Sequence, residues 1–211
     1  MRTSRRRAGD RIVRPRAWLL TLVTAVLAMA GCTSGADGAD SGRSVEQELQ
    51  GVPDLTDCPA PTGQPATGEQ SLPELSLPCL DAGGGDLALG EAPGVPLVLN
   101  LWASWCRPCI AELPLFEDLY SAVDPSQLQV IGVNSRDSAS FAADLVEELD
   151  LTFANGFDDN GDVMVAALVR NLPGTVFIDA GGAVAFVKRD KVIETYTELV
   201  ALVQQHLGVV V

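Results

Sequence analysis

The chain has 211 residues, 47% of them hydrophobic, and a formal net charge of −14. That length is enough for one domain with a sizeable core and some additional segments. The acidic balance excludes nucleic acid as a partner and argues against electrostatic binding to anionic lipid.

Residues 1–31 have the composition of an export signal. Seven arginines precede an apolar run of 14 residues, Ala17 to Ala30, which is short for a transmembrane helix. An uncleaved membrane anchor is the alternative interpretation. Removal of this segment leaves 7 basic and 27 acidic residues, so the mature chain is predicted to be strongly acidic.

The last residues of the signal, Met29-Ala30-Gly31-Cys32, resemble a bacterial lipobox, in which leucine is usual at the place of Met29. The resemblance implies cleavage before Cys32 and attachment of a diacylglycerol to its sulfur. The mature protein would then be held at the membrane by acyl chains.

Residues 32–70 are predicted to form a tether and an N-terminal extension, ahead of a folded domain over residues 71–211. The part from 33 to 51 is rich in Gly, Ser, Ala and Asp and has few apolar residues, which is typical of a flexible segment. The part from 52 to 78 is rich in proline and is predicted to be extended, without a long helix.

Strands and helices alternate through the domain. Short apolar runs indicate buried strands, and apolar residues spaced three or four apart indicate helices with one buried face. In chain order we predict a strand over 96–102, a helix over 106–123 with a kink at Pro114, a strand over 128–134, a helix over 138–149, a strand near Thr152, a helix over 162–169, a hairpin of strands over 175–179 and 183–188, and a last helix that begins with a Thr195/Glu198 capping box. This order predicts an α/β fold with a central mixed β-sheet flanked by helices on both faces.

The chain has five cysteines. If Cys32 carries lipid, four remain, an even number that suits two pairs in a compartment that permits disulfides. Cys58 and Cys79 flank the proline-rich segment, and we predict that they form a structural disulfide that attaches it to the domain. A second redox-active pair is the alternative.

Cys106 and Cys109 form a C-x-x-C motif directly after a predicted buried strand. Cys106 stands at a helix N-terminus, where unpaired backbone N–H groups and the helix dipole stabilise a thiolate. Cys109 lies about one turn further into the helix and is expected to be less exposed. We therefore predict a redox dithiol in which Cys106 attacks and Cys109 resolves the mixed disulfide. The charge of Arg107 favours the thiolate, and Pro108 suits the first helical turn.

Two other interpretations of the C-x-x-C motif are weaker. Zinc needs a second pair of ligands, and the remaining cysteines and the single histidine, His206, do not supply one at the spacing of a zinc site. A purely structural disulfide across two intervening residues closes a very small loop and stabilises little. We expect neither a metal nor another cofactor.

The residues from Trp102 to Cys109, WASWCRPC, resemble the WxxWCxPC active site of the thioredoxin superfamily. The continuation ELP at 112–114 is similar to the TlpA/ResA-like branch of membrane-anchored thiol-disulfide oxidoreductases, and the resemblance extends from Leu72 to the C-terminus. It implies a thioredoxin-like fold and an enzyme that exchanges thiols and disulfides.

The resemblance also assigns roles to residues far from the motif. The run 171–179, NLPGTVFID, is similar to the segment that carries the family's cis-proline, which makes Pro173 that residue and places the Leu172 backbone beside the client chain. Trp105 is expected to shield the dithiol and to line the same client site. The sequence departs from the family at Gly174, where threonine is usual. An ordinary trans proline that opens a strand is the alternative.

Asn100 occupies the place where thioredoxins keep a buried aspartate. The resemblance implies that Glu112 supplies the missing carboxylate and assists proton transfer at the buried cysteine. Glu112 lies three residues after Cys109, on the same helical face. Burial is expected to raise the pKa of Glu112 to a value that suits a base for a thiol. A solvated surface glutamate is the alternative.

Together these features predict an exported, lipid-anchored enzyme at the outer face of the cell membrane. Its expected partners are exported proteins that contain cysteines, and a membrane thiol reductase or oxidase that exchanges electrons with it. Reductants that act on apocytochrome c in cytochrome c maturation are common in the family, which favours a reductase. The charge of Arg107 favours a disulfide-forming oxidase instead. A redoxin-type thiol peroxidase and a non-catalytic lipoprotein are further alternatives.

Overall fold

The computed structural model describes residues 55–68, 70–189 and 191–211. The predicted export signal, the predicted lipidation site Cys32 and the greater part of the predicted tether lie outside these residues. Within the described residues, no helix has the length and apolar character needed to cross a membrane.

The described part of the chain contains seven strands and four helices. In chain order they are β1 (Leu75–Pro78), β2 (Asp86–Leu89), β3 (Leu97–Trp102), α1 (Arg107–Ala122), β4 (Gln129–Ser135), α2 (Ala139–Glu148), β5 (Asn155–Asp158), α3 (Asp162–Ala166), β6 (Gly174–Ile178), β7 (Val184–Arg189) and α4 (Tyr196–Leu207). The strand predicted near Thr152 begins at Asn155. Helix α3 is shorter than predicted, because Leu168 adopts a left-handed φ of 56°, which no α-helix accommodates.

Five strands form one mixed sheet in the order β5-β4-β3-β6-β7. Strand β4 runs parallel to β3 and to β5, whereas β6 runs antiparallel to β3 and to β7. Strand β3 lies in the middle, and all six of its residues are buried, as its apolar sequence predicts. Strands β6 and β7 form the predicted hairpin.

Side chains of β3 alternate between two hydrophobic clusters, because successive residues of a strand point to opposite faces of the sheet. Val98 and Trp102 belong to one cluster, together with residues of α1, α2 and α4. Leu99 and Leu101 belong to the other, together with residues of α3. The predicted α/β architecture, a mixed sheet with helices on both faces, is confirmed.

An N-terminal β-hairpin, formed by β1 and β2, is missing from the sequence-based prediction. Its strands are antiparallel, with Leu77 paired to Leu87, and both side chains are buried in the cluster that contains α3. Strands of four residues are too short to show a clear alternation, and Pro78 and the three glycines at 83–85 indicate an irregular segment. The hairpin covers one face of the sheet, and without it the leucines of β3 on that face would be exposed.

Residues 55–68 belong to the predicted N-terminal extension and contact the domain. Leu55 is buried in the core, and the N–H of Thr56 donates to the carbonyl oxygen of Thr152 at 2.8 Å. These contacts join the predicted N-terminal extension to the domain that the sequence predicts from Ser71 onward. The prolines of this segment account for its extended path, because they remove N–H donors that a helix would need.

Candidate active site

The two cysteines of the C-x-x-C motif are joined by a disulfide at the N-terminus of α1. Their Cα atoms are 5.2 Å apart. Cys106 is the N-cap residue, and its sulfur accepts the N–H of Cys109 at 3.3 Å. The side chain of Cys106 retains 4% of its exposure, whereas Cys109 has none. The sulfur that a partner can reach first is therefore that of Cys106.

The surface around Cys106 carries an exposed cation and a large exposed aromatic side chain. Arg107 and Pro108 are exposed in the first turn of α1. Trp105 is 60% exposed, and its indole N–H donates to the carbonyl oxygen of Arg136 at 3.0 Å. That hydrogen bond fixes the ring beside the dithiol and leaves its apolar face available to a partner chain.

A carboxylate in the loop that follows the neighbouring strand β4 holds the loop that leads to Cys106. Asp137 accepts the N–H of Ser104 at 2.5 Å and its hydroxyl at 2.8 Å, and also the Nδ2 donor of Asn134 at 2.9 Å. The sequence-based prediction did not find this contact. The sequence does contain a signal for it. Ser104 follows β3 and Asp137 follows β4, and the carboxyl ends of parallel strands meet at one edge of the sheet.

Glu112 is completely buried, three residues after Cys109 on the helix that begins at the dithiol. Its Oε1 accepts the Nδ2 donor of Asn100 at 2.8 Å, and its Oε2 accepts the N–H of Ile193 at 2.9 Å. Burial raises the pKa of Glu112 to about 7, although these two hydrogen bonds favour the ionised form. The carboxyl group can therefore gain or lose a proton near neutral pH.

Asn100 faces the same carboxyl group with one unused polar atom. Within the described residues, no donor reaches the Oδ1 of Asn100, which is buried. A protonated Glu112 could donate to that oxygen if the amide rotated, since Asn offers both a donor and an acceptor. The pair is thus compatible with either protonation state of Glu112.

The peptide bond between Leu172 and Pro173 is cis. Pro173 is buried and Leu172 is half-buried at the end of the loop that enters β6. Gly174 follows, and a Cβ atom there would lie 2.8 Å from the Cγ1 of Val169. The close approach of Val169 explains why glycine occupies a position where threonine is usual in the family.

An open groove of about 610 Å³ runs beside the dithiol and the cis-proline. Its walls include Pro108 from α1, Leu172 and Pro173 from the loop before β6, and Lys188 of β7. Residues of the C-x-x-C motif and of the cis-proline loop, about 65 positions apart in the chain, therefore meet at one surface.

Cys58 and Cys79 form a second disulfide, with Cα atoms 6.2 Å apart. It attaches the N-terminal extension to the end of β1. The N–H of Cys58 donates to the carboxylate of Asp81 at 3.3 Å. The two sulfurs and a carboxylate oxygen of Asp81 lie within 4.8 Å of one another, but sulfurs that share a disulfide are not the thiolates that a metal requires.

The sheet order and the place of the dithiol assign the protein to the thioredoxin-like class. A secreted Mycobacterium tuberculosis disulfide oxidoreductase, described as homologous to E. coli DsbE, is similar over 63% of this chain and 96% of its own, with 25% identity and a TM-score of 0.54. A Chlorobium tepidum protein described as the thiol:disulfide interchange protein DsbE is similar over 66% of this chain and 95% of its own, with 25% identity and a TM-score of 0.55.

The chain belongs to the AhpC/TSA family, whose model matches residues 69–187, more than half of its length. It is 32% identical to the thiol-disulfide oxidoreductase ResA of Oceanobacillus iheyensis over 96 residues. The aligned region is 46% of this chain and 50% of that protein. The chain is 31% identical over 127 residues to ResA of Geobacillus thermodenitrificans, covering 60% of this chain and 70% of that protein.

The chain spans between 50% and 60% of the length of several of these ResA relatives. The matches confirm the ResA-like resemblance and the thioredoxin-like fold that the WASWCRPC motif predicts.

Proposed function

We propose that this protein is an extracytoplasmic thiol-disulfide oxidoreductase whose active dithiol is Cys106 and Cys109. One observation carries the proposal: the dithiol stands at a helix N-terminus, and the same helix buries the carboxyl group of Glu112 three residues after Cys109. A helix N-terminus stabilises the attacking thiolate, and a carboxyl group with a pKa of about 7 can accept the proton of the second thiol at neutral pH.

In the reducing direction, the Cys106 thiolate attacks one sulfur of a client disulfide. A bond forms between Cys106 and that sulfur, and the other client sulfur leaves as a thiolate. Glu112 then takes the proton of Cys109, and the Cys109 thiolate attacks the sulfur of Cys106, releasing the second client thiolate. Two electrons have passed from the protein to the client, and the protein ends in the disulfide state that the structure has.

The groove beside Pro173 is the proposed client site. An extended client chain can pair with the backbone at Leu172 while its cysteine lies over Cys106. The exposed ring of Trp105 covers the other side of the dithiol and contributes apolar contact. No side chain needs to enter a closed pocket, which suits a protein client better than a small molecule.

We further propose that the protein is held at the outer face of the cell membrane by lipid on Cys32. The support is the lipobox-like sequence and the similarity to a disulfide oxidoreductase described as secreted. Proposed partners are exported proteins with cysteines, including apocytochrome c in cytochrome c maturation, and a membrane thiol reductase as the electron donor. Metabolic labelling with a fatty-acid probe tests the anchor, because Cys32→Ala abolishes the label if the proposal is correct.

Reduction of insulin disulfides tests the activity. The wild-type protein should precipitate insulin in the presence of a dithiol reductant, and Cys106→Ser should lose that activity. Equal turnover by the two proteins would show that the dithiol is not the active centre.

The reduction potential of the Cys106–Cys109 couple, measured by equilibration with glutathione, tests the direction of electron flow. A value near −270 mV, like that of thioredoxin, supports a reductase, whereas a value near about −120 mV, like that of DsbA, supports an oxidase. Peroxide consumption far faster than that of free thiols would support a thiol peroxidase instead.

A further inference from the structure

The segment between β7 and α4 connects the buried carboxyl group to an ion pair at the surface. The N–H of Ile193 donates to the Oε2 of Glu112 at 2.9 Å. The N–H of the next residue, Glu194, donates to the Oε2 of Glu198 at 3.1 Å. The other oxygen of Glu198, Oε1, accepts from the Nζ of Lys188 at 2.9 Å. The consecutive backbone N–H groups of Ile193 and Glu194 therefore bind two carboxylates, the buried one of Glu112 and the partly exposed one of Glu198.

The ion pair is shielded enough for its charges to act at a distance. The side chain of Lys188 is 17% exposed and that of Glu198 is 35% exposed. Charges in such positions are screened less by water and salt than fully exposed ones. Glu198 is anchored further by the start of α4, where its own N–H donates to the Oγ1 of Thr195 at 3.2 Å.

The groups that face Glu112 come from each element packed against it. Strand β3 contributes the neutral amide of Asn100, which donates to the carboxyl group. Cys109, three residues before Glu112 on α1, is in a disulfide and carries no charge. Strand β7 contributes the cation Lys188 and α4 contributes the anion Glu198. The positive charge lowers the pKa of Glu112 and the negative charge raises it, so the two halves of the ion pair act in opposite directions.

We propose that Lys188 and Glu198, connected to Glu112 through the 191–195 segment, are positioning residues whose opposite charges each act on its carboxyl group, so that loss of either charge changes when that group gives or takes a proton. The inference rests on the proposed function, because the proton step matters only if Cys109 resolves a mixed disulfide. Lys188 and Glu198 also line the groove beside the cis-proline. A client seated there removes water from the pair and strengthens the separate, opposite action of each charge on Glu112.

Titration of Glu112 in the disulfide form tests the proposal directly, since neither Cys106 nor Cys109 titrates in that state. The carboxyl carbon of Glu112 is followed by NMR in ¹³C-labelled protein and assigned with Glu112→Gln. Lys188→Met should move the midpoint upward and Glu198→Gln should move it downward, each by about 0.5 unit for one partly screened charge. The double variant should lie near wild type.

Matched controls come from the same segment. Lys191→Met and Glu194→Gln make the same changes of charge at exposed side chains and should leave the Glu112 midpoint within about 0.2 unit of wild type. Lys188→Arg keeps the charge and should restore the wild-type midpoint. The pH profile of mixed-disulfide resolution should move with the midpoint in every variant.

Shifts in the same direction for Lys188→Met and Glu198→Gln, or shifts no larger than those of the controls, would overturn the proposal. A purely structural role of the ion pair predicts shifts in the same direction, because either substitution breaks the same pair. If the wild-type protein reduces insulin and the midpoints do not move, only this inference fails. If the midpoints move as expected and insulin is not reduced, the proposed function fails and the action of the pair on Glu112 stands.

Discussion

Replacement of Glu112 by glutamine should remove a pH dependence from the stability of the protein. The pKa of Glu112 is raised from 4.5 to about 7 in the folded state. A group with a raised folded pKa stabilises the fold below its unfolded pKa, and this contribution is lost as the pH rises through the folded value. At about 1.36 kcal/mol per pKa unit, the full loss is about 3 kcal/mol, of which about 2.5 kcal/mol falls between pH 5 and pH 8.

Other carboxylates do not mask this effect. The pKa values of Glu91, Asp124 and Glu198 are lowered by hydrogen bonds, so their stabilising contributions are lost only as the pH falls below about 4.5. Above that range these groups are ionised in the folded and the unfolded states. The difference between wild type and Glu112→Gln from pH 5 to pH 8 therefore isolates Glu112, because every other titratable group is common to the two proteins.

The assay is urea unfolding of the oxidised protein at several pH values across that interval. The free energy of unfolding of the wild type should fall with rising pH, while that of Glu112→Gln should stay nearly flat. Glutamine fits the site because its amide can donate to the Oδ1 of Asn100, which lacks a donor within the described residues. Parallel pH profiles for the two proteins, with equal m-values, would refute the argument that burial controls this carboxyl group.

Three further substitutions test other parts of the structure. Cys109→Ser should trap a mixed disulfide with the client, visible by mass spectrometry, and reduce insulin turnover by about 100-fold or more because the intramolecular resolving step is lost. Gly174→Ala should lower the free energy of unfolding in urea by about 1–3 kcal/mol, because the new methyl group meets Val169 at 2.8 Å. The double variant Cys58→Ala/Cys79→Ala should lose about 3 kcal/mol of stability, from a bridge across a separation of 21 residues, and keep its insulin reductase activity.

A specific result would contradict each of these three predictions. Resolution at the wild-type rate by Cys109→Ser would assign the resolving role to another group. Val169→Ala in the Gly174→Ala background should recover part of the lost stability, and no recovery would show that the steric argument is wrong. Loss of insulin reduction in the Cys58→Ala/Cys79→Ala variant, with its fold intact by circular dichroism, would make that pair a second redox centre.

Local patterns were sufficient to predict the central part of the fold. Strand β3 is a short apolar run, α1 begins at a cysteine followed by a first-turn proline, and the β6–β7 hairpin is marked by glycines between two apolar runs. These features depend on residues close in sequence, where side-chain periodicity and turn preferences dominate. For the same reason the dithiol and its more accessible member could be predicted without tertiary information.

The contacts that sequence reasoning missed join distant parts of the chain. The β1–β2 hairpin depends on burial against the sheet, because its four-residue strands carry little signal of their own. Asp137 holds Ser104 from 33 residues away. Asp137 lies outside the WASWCRPC motif, and Ser104 occupies one of its variable positions. The pair of Lys188 and Glu198 spans two elements whose relative position only the packed fold determines.

Glu112 separates what the sequence predicts from what only the tertiary structure determines. Its spacing from Cys109 in sequence already placed both residues on one face of a helix, and thereby proposed a carboxyl group for the buried thiol. Its proton chemistry was decided by the tertiary structure, which excludes water from the carboxyl group and brings the N–H of Ile193 to it from 81 residues away. Desolvation depends on everything packed around a group, so a sequence can place an ionisable side chain but cannot by itself set its pKa.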